Sequence, residues 1–341
     1  MGKIRRQKPI KNKRNSENEG NAHEELLSDS KDNAIQTMLD QLQAANIEEK
    51  YCALQTLSLL VETPGNAEKI ISKGVVKSAA PLLIDPVNSV RNAAASALHT
   101  LSSVNFEVCD SLMEQDIMTP LIFYFNEYAA KLIPENSLKT KDEDIDTFIQ
   151  SINLLMNLCE SSELAIKYAD QSNIFDILPR FLEISTFGSN VVIATLQCLF
   201  VIVEDNPHGI QKVKTNFETQ LQQLIVLEGN EPTAILIKTL AAGIIINTFS
   251  GNICSLPGTI ISQVLLILAN ALSVDHRLVC NQLSSSVPLN NASGKVNAPK
   301  GKEAKELEKQ IQTVSYILDA QQSAIEIIAN ICSYDSGKYF L

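Results

Sequence analysis

Residues 82–103 read LLIDPVNSVRNAAASALHTLSS, and this stretch decides the fold. An apolar run stops at the Asp85-Pro86 pair, and a new helix is predicted to begin at Val90-Arg91. That helix has alanine at positions 93, 94, 95 and 97, where a helical core usually carries larger side chains. Small residues on a buried helix indicate that neighbouring helices approach it closely.

The end of this helix recurs along the chain. The segment Leu98–Ser102 has counterparts that begin at Leu57, Leu155, Leu199, Ile245 and Ile328, so that successive starts lie 41, 57, 44, 46 and 83 residues apart. Three of these spacings match the period of about 40–47 residues that is typical of armadillo and HEAT repeats. The two longer gaps contain the polar segments 126–146 and 283–310, so the excess is loop or, in the second case, one degenerate repeat.

Each repeat also contains two earlier helices. A short helix is followed by a break and then by an apolar helix with an internal proline, which predicts three helices per unit, the armadillo arrangement. Gly, Asn and Asp tolerate the left-handed backbone that ends many helices. The prolines are expected either to kink the middle helix or to lie in its first turn. The breaks are predicted at Gly74, Asp116 and Asn173, and the prolines are Pro81, Pro120 and Pro179.

The repeats predict an all-α fold, an armadillo/HEAT-repeat α-solenoid in which the alanines mark the seam between stacked units. We expect a disordered basic arm over residues 1–32 and a solenoid over 33–335, with polar inserts near 133–144 and 284–303. The tail, 336–341, contains no polar capping helix to cover the apolar face of the last repeat.

Charge is distributed unevenly over the 341 residues. Residues 1–14 carry seven Lys or Arg and no acid, whereas the remaining chain holds 21 basic against 39 acidic side chains. An acidic body repels nucleic acid and attracts basic proteins. We find no uninterrupted apolar segment long enough to span a membrane and no secretory signal, so we expect a protein of the cytosol or nucleus.

Residues typical of enzymes are not arranged in any catalytic pattern. The four His are far apart, and no nucleotide-binding, metalloprotease or nucleophile-elbow motif occurs. We therefore expect neither catalysis nor a metal or cofactor. The seven cysteines contain no CxxC pair and lie mostly in apolar helices, so we interpret them as reduced core residues: Cys52, Cys109, Cys159, Cys198, Cys254, Cys280 and Cys332.

Asparagines recur at one place in three of the helix endings, namely Asn157, Asn247 and Asn330. The last helix of each unit lines the groove of a solenoid, and an Asn amide can pair with the backbone of a bound strand. These three residues are our candidates for a cargo groove. The alternative is that each one satisfies the backbone of a neighbouring repeat.

The basic arm is the second candidate site. Basic tails bind an import receptor or RNA or improve solubility, and the acidic body favours the import receptor. The arm could also fold back onto its own acidic groove and inhibit it. The candidate receptor-binding residues are Lys3, Arg5, Arg6, Lys8, Pro9, Ile10, Lys11, Lys13 and Arg14.

Four segments, FEVCDSLMEQDIMTPL (106–121), MGKIRRQKPIK (1–11), VEDNP (203–207) and LIKTLAAGIIIN (236–247), resemble the symportin family, known in animals as HEAT repeat-containing protein 3. The resemblance covers essentially the whole chain. It implies a solenoid adaptor that binds the two large-subunit ribosomal proteins associated with 5S ribosomal RNA. Such adaptors keep these proteins soluble and carry them into the nucleus with a transportin-type import receptor, for ribosome biogenesis, so the resemblance implies shuttling between cytoplasm and nucleus. Family members continue for many more repeats, which implies that this chain is a fragment or a short isoform.

Two features depart from the family pattern. Transportin-type signals end in a Pro-Tyr pair, whereas Pro9 is followed by Ile10 here. The family's acidic, cargo-binding insertion corresponds to a segment, 283–310, that carries Lys as well as Glu, so we transfer no cargo role to it. We expect a monomer without direct membrane contact, which meets nucleic acid only through its cargo. A nuclear transport receptor and a signalling scaffold are the alternative functions.

Overall fold

Helices account for the architecture of the chain. The structure is a computed structural model that describes residues 33–132, 142–249, 256–286 and 301–336, and no strand occurs among them. The helices are α1 (33–42), α2 (Ile47–Val61), α3 (Asn66–Ser72), α4 (Val75–Ala79), α5 (Asn88–Ser102), α6 (Phe106–Glu114), α7 (Met118–Glu127), α8 (Asp142–Ser161), α9 (Glu163–Gln171), α10 (Ile174–Ile177), α11 (Ile184–Phe187), α12 (Ser189–Val203), α13 (Pro207–Asn216), α14 (Glu218–Ile225), α15 (Pro232–Thr248), α16 (Gly258–Ser273), α17 (His276–Ser286) and α18 (Lys302–Ser336).

Six of these helices form a continuous ladder, because each packs against the next in the order α2, α5, α8, α12, α15 and α18. They are the third helices of successive units, and the all-α solenoid is confirmed. The 83-residue gap contains no further third helix in the part of the chain that the structure describes, since α18 packs directly on α15. The excess consists of α16, α17, the 35-residue α18 and residues 287–300, which lie outside the described residues.

The predicted breaks within the units separate two helices at all three positions. Gly74 and Asp116 have the expected left-handed backbones, with φ of 75° and 61°. At Asn173 the prediction of a left-handed backbone is wrong, because the φ angle of this residue is −83°. The chain changes direction at the extended Ser172 instead. Pro81 and Pro179 each lie at the start of a 3₁₀ turn that ends the middle helix, whereas Pro120 lies in the first turn of α7.

The alanines of α5 occupy the seam as predicted. Ala94, Ala95 and Ala97 are fully buried and Ala93 is 8% exposed, in a helix that packs on α2 at one side and on α8 at the other. Small side chains at the contact allow helix axes to approach to about 8 Å. The alanines therefore set the distance between units.

Arg91 fixes the corner that precedes this helix. Its side chain is buried, its Nη1 donates to the carbonyl of Asp85 at 2.7 Å, and its guanidinium lies 4.2 Å from the centre of the Tyr128 ring. Its Nη2 is also 3.7 Å from Oδ1 of Asp144 in the next unit. A planar cation with several donors can join three elements in this way, which the single ammonium of a lysine could not.

Polar side chains connect α5 to α8 along much of their length. Asn88 donates to Asp144 at 2.8 Å, and Asn92 donates to Asp146 at 2.7 Å. Further along, His99 Nδ1 lies 2.8 Å from Oε1 of Gln150. The helix α8 begins at Asp142, so residues 142–144, expected in a polar insert, are helical. Residues 284–286 and 302–303 of the second expected insert likewise belong to α17 and α18.

The helix α15 is buried around most of its circumference. Gly243 makes this possible, because a Cβ atom at this position would lie 2.6 Å from Phe200 of α12 and 2.8 Å from Ile327 of α18. The long α18 accordingly reaches past α15 to α12. Tyr316 donates to Oδ1 of Asn190 at 2.8 Å, and the amide of Asn330 donates to Glu204 at 3.1 Å.

The expectation that the cysteines are core residues is only partly correct. The six described cysteines are free, and Cys109, Cys159 and Cys198 are buried. Cys52 and Cys332 are exposed, because α2 and α18 end the ladder within the described ranges and each has a face that no further third helix covers there. Cys280 is half-buried, and Cys254 lies outside the described residues.

The expectation that no segment could span a membrane needs one correction. The segment Gly258–Asn281 is long and apolar enough by length and composition, and 22% of its most apolar window is buried. In the structure a single helix does not run through this segment. The helix α16 ends at Ser273, and the Asp275 carboxylate accepts from the backbone N–H groups of Arg277 and Leu278 to begin α17.

Replacing Gly243 by Leu is expected to destabilise the fold by about 1–3 kcal/mol, because the new side chain must displace Phe200 and Ile327. Urea unfolding followed by circular dichroism measures the change. The matched control is Gly258→Leu, where a Cβ atom would have no neighbouring atom within 4 Å. Equal stabilities of the two variants would contradict the close packing of α12 and α18 over α15.

His99 is expected to make the fold less stable in mild acid. Burial lowers the pKa of His99 below 6.5, and this outweighs the opposing effect of the hydrogen bond to Gln150. The unfolded chain therefore takes up a proton more readily, so the stabilisation present above pH 6.5 is lost as the pH falls towards the folded pKa. The variant His99→Gln should lose this part of the pH dependence between about pH 7.5 and 5.5. Urea unfolding at several pH values measures the free energy of unfolding. An equal dependence of that free energy on pH in the two proteins would rule out this role.

Candidate cargo groove

The exposed sides of α2, α5, α8 and α12 form one surface, here called the groove. In a solenoid the stacked helices present such a surface to an extended partner. The first part of the groove is a cavity of about 380 Å³ between α2 and α5. Ala93 contributes to its wall, so a small side chain of the seam also helps to open this cavity. Its lining is Tyr51, Gln55, Ser58, Leu59, Asn92, Ala93 and Ser96.

A second cavity, of about 280 Å³, lies at the carboxyl ends of α5 and α8. Phe106 is 64% exposed at its edge, and Glu160 contributes a carboxylate. An aromatic ring beside a carboxylate suits a Lys or Arg side chain, because the ring face and the charge both attract a cation. The remaining lining is Ser102, Ser103, Asn105, Asn157 and Ser161.

The three candidate asparagines lie in different environments. Asn157 lines the second cavity, and its amide donates to Oγ of Ser102 at 2.9 Å in the preceding unit. Asn247 is only 7% exposed, and its Nδ2 has no hydrogen-bond partner among the described residues. Asn330 donates to Glu204. Two of the three therefore bond to a side chain of another unit, and the cargo role of all three stays a prediction.

Three acidic side chains from different units interact electrostatically, and we call them the acidic cluster: Glu160 near the end of α8, Glu204 directly after α12, and Glu326 on α18. Partial burial raises the pKa of Glu326, and the carboxylates of Glu204 and Glu160 raise it further. All three residues are exposed to solvent. Like charges held together in this way favour a positively charged partner.

The sequence pattern does not identify this cluster. Glu204 lies next to Asp205 in the sequence, but no spacing connects it to Glu160 and Glu326, which belong to separate units. The pattern also misses Phe106. A large aromatic residue at the first position of α6, four residues after α5 ends, is the signal that this position opens onto the groove.

The arm falls outside the described residues, and its receptor role stays a prediction for Lys3, Arg5, Arg6, Lys8, Pro9, Ile10, Lys11, Lys13 and Arg14.

The possible metal ligands are spread over the described part of the chain. No group of three or more His, Cys, Asp or Glu that could hold a metal ion occurs in the ranges that the structure describes. Burial raises the pKa of the Cys109 thiol, and it raises that of Cys159 to about 12. Thiols with such values are protonated at neutral pH and are poor nucleophiles.

Two curated relatives match most of the chain, whereas no family model matches it. HEAT repeat-containing protein 3 of Homo sapiens is 29% identical over 334 residues, which is 86% of this chain and 49% of the relative. The protein of the same name from Mus musculus is 24% identical over 332 residues, with the same coverage of both chains. The chain therefore spans about half the length of the curated relatives it matches.

Solved structures show the same fold. A designed armadillo repeat protein aligns over 84% of this chain and 98% of its own, with a TM-score of 0.51 and 17% identity. A second structure aligns over 87% of this chain and 60% of its own, with a TM-score of 0.53 and 13% identity. It comes from work on a phosphorylation switch that controls the interaction between cadherin and beta-catenin. Repeat solenoids of this kind are usually non-catalytic scaffolds. The chain is thus an all-α armadillo/HEAT-type solenoid that is similar to HEAT repeat-containing protein 3.

Proposed function

We propose that this chain is a non-catalytic adaptor that binds the two large-subunit ribosomal proteins associated with 5S ribosomal RNA and escorts them into the nucleus. The observation that carries the proposal is the acidic cluster beside the Phe106 cavity. Ribosomal proteins are rich in Lys and Arg, and a groove that neutralises them keeps them apart from RNA before assembly.

Charge also supports the choice of a basic cargo over a nucleic acid. Beyond residue 14 acidic side chains exceed basic ones, 39 to 21, and a phosphate backbone would be repelled. A designed armadillo repeat protein with a TM-score of 0.51 to this chain has been solved in complex with a (KR)4 peptide. We extend a preference for Lys and Arg to the groove of this chain as part of the proposal.

Transport is assigned to the basic arm. The segment from Lys3 to Arg14 would bind a transportin-type import receptor, while the groove holds the cargo. This division gives the two partners separate parts of the chain, so that both can be bound together.

The acidic cluster is expected to lower the free energy of unfolding as long as no cargo is bound. Because the pKa of Glu326 is raised in the folded state, ionisation at neutral pH opposes folding, and the penalty disappears below about pH 4.5. Glu326→Gln should stabilise the protein at pH 7 by up to about 1 kcal/mol, since exposed charges are screened. Urea unfolding checks this, with Glu306→Gln on the same helix as control. A stabilisation that persists unchanged at pH 4 would disprove the electrostatic cause.

Neutralising the cluster is expected to weaken cargo binding. Glu160→Gln/Glu326→Gln should reduce the affinity for a fluorescent (KR)4 peptide about three- to tenfold at low salt, as the loss of two exposed ion pairs implies. Fluorescence anisotropy measures this, and the Glu306→Gln variant should bind like the unmodified protein. Unchanged affinity of the double variant would exclude the cluster as the cargo site.

The identity of the cargo requires a pull-down from cell extract followed by mass spectrometry, with the whole chain and with a variant that lacks residues 1–20. The proposal expects the 5S-associated ribosomal proteins in both samples and a transportin-type receptor only in the first. Absence of those ribosomal proteins from both samples would falsify it.

A further inference from the structure

The second cavity, at the carboxyl ends of α5 and α8, is lined by hydroxyl groups whose protons are all used within the protein. Ser102 and Ser103 donate to the carbonyl of His99 at 2.8 and 2.9 Å. Ser161 donates to the carbonyl of Asn157 at 2.7 Å. A hydroxyl group whose proton is used still has lone pairs, so these three groups present hydrogen-bond acceptors to the cavity.

The side-chain amide of Asn157 is held in one orientation at the same cavity. Its Nδ2 donates to Oγ of Ser102 at 2.9 Å and to Oγ of Ser103 at 3.3 Å, so both amide protons are used. What remains for a ligand is Oδ1, which is an acceptor. Among the lining side chains, a free amide N–H group belongs to the exposed Asn105, whose Oδ1 accepts from the backbone N–H of Val108 at 2.8 Å.

The helix ends around the cavity favour positive charge. The helix α5 ends at Ser102 and α8 ends at Ser161, and the carboxyl end of a helix carries a partial negative charge. The opposite end of α6 also lies here, but Asn105 caps it and Glu107 lies in its first turn. The carboxylate of Glu160 forms no salt bridge within the described residues. The cavity thus lacks a cation of its own.

The acceptors lie on two walls of the cavity. Ser102 and Ser103 belong to α5, whereas the other wall is one face of α8, where Asn157 is followed three and four residues later by Glu160 and Ser161. The ammonium of a lysine carries three donors that diverge and can reach both walls. The donors of an arginine lie in one plane and suit a single flat acceptor better.

We propose that the second cavity binds the ammonium group of one lysine side chain of the basic cargo, and that acetylation of this lysine prevents its binding. Acetylation removes the charge, so the attraction to Glu160 and to the ring of Phe106 is lost. The new carbonyl oxygen would also face the lone pairs of both walls. The inference rests on the proposed function, because it requires basic cargo in the groove. It gives Asn157 a role in recognising a side chain rather than the backbone of a bound strand.

Fluorescence anisotropy with two labelled (KR)4 peptides tests the proposal, and one of these peptides has all four lysines acetylated. Phe106→Ala should weaken binding of the unmodified peptide about two- to fivefold, as the loss of an exposed cation–π contact implies. The same variant should bind the acetylated peptide as the unmodified protein does, because arginine is not expected in the cavity. Asn157→Leu should show the same pattern, since it removes the oriented Oδ1.

The matched control is Phe123→Ala, at a phenylalanine that is 49% exposed on α7 and lines neither cavity of the groove. It should bind both peptides like the unmodified protein. Because Phe106 is itself 64% exposed, Phe106→Ala is expected to keep the fold, and urea unfolding checks this for each variant.

Two results would overturn the inference. Unchanged affinity of Phe106→Ala for the unmodified peptide would show that no cation binds at this cavity. Equal weakening for the two peptides would show that arginine occupies it, so that acetylation of a lysine could not control binding. Neither result bears on whether the 5S-associated ribosomal proteins appear in the pull-down, so a failure of this inference is distinguishable from a failure of the proposed function.

Discussion

Every inner third helix of this solenoid has to bury two opposite faces, one against each neighbour, and the rest of the structure depends on that constraint. The helix α5 satisfies it with alanines, which allow α2 and α8 to approach from both sides. Arg91 then fixes the angle at which the helix leaves the Asp85-Pro86 corner, because its guanidinium is held by the Asp85 carbonyl and the Tyr128 ring at once. Small residues set the spacing between units, and one buried cation sets their orientation.

The same constraint has a different outcome at α15. Here the helix is apolar around most of its circumference, and Gly243 lets Phe200 and Ile327 meet over it. As a result α18 reaches α12, and the groove ends at that point instead of continuing along the ladder. Glu326 of α18 thereby comes within the electrostatic influence of Glu204 and Glu160, which raise its pKa. The packing around one glycine in the core thus determines where the charges of the groove are concentrated.

Electrostatics and stability oppose each other at the acidic cluster. Partial burial disfavours the ionised carboxylate of Glu326, the charges of Glu204 and Glu160 disfavour it further, and the fold bears this cost while no cargo is bound. Binding a basic segment would relieve it, so part of the binding free energy would come from the repulsion present in the free protein. Raised carboxyl pKa values of this kind are common at functional sites, where charge is arranged for a partner rather than for the fold.

The sequence by itself determined the fold class, the three-helix unit, the positions of the breaks and the role of the alanines, because these follow from local spacing and small-residue patterns that repeat along the chain. The tertiary structure alone decided that the charges of Glu160 and Glu204 act on Glu326, that Asn247 is buried, and that Cys52 and Cys332 are exposed. Those facts depend on how units pack around one another and on which helix faces are left uncovered at the ends of the ladder. The repeat period specifies that neighbouring units touch. The distance between residues more than one unit apart depends on the packing angles of all the units between them, and side chains such as Arg91 and close approaches such as that at Gly243 set those angles.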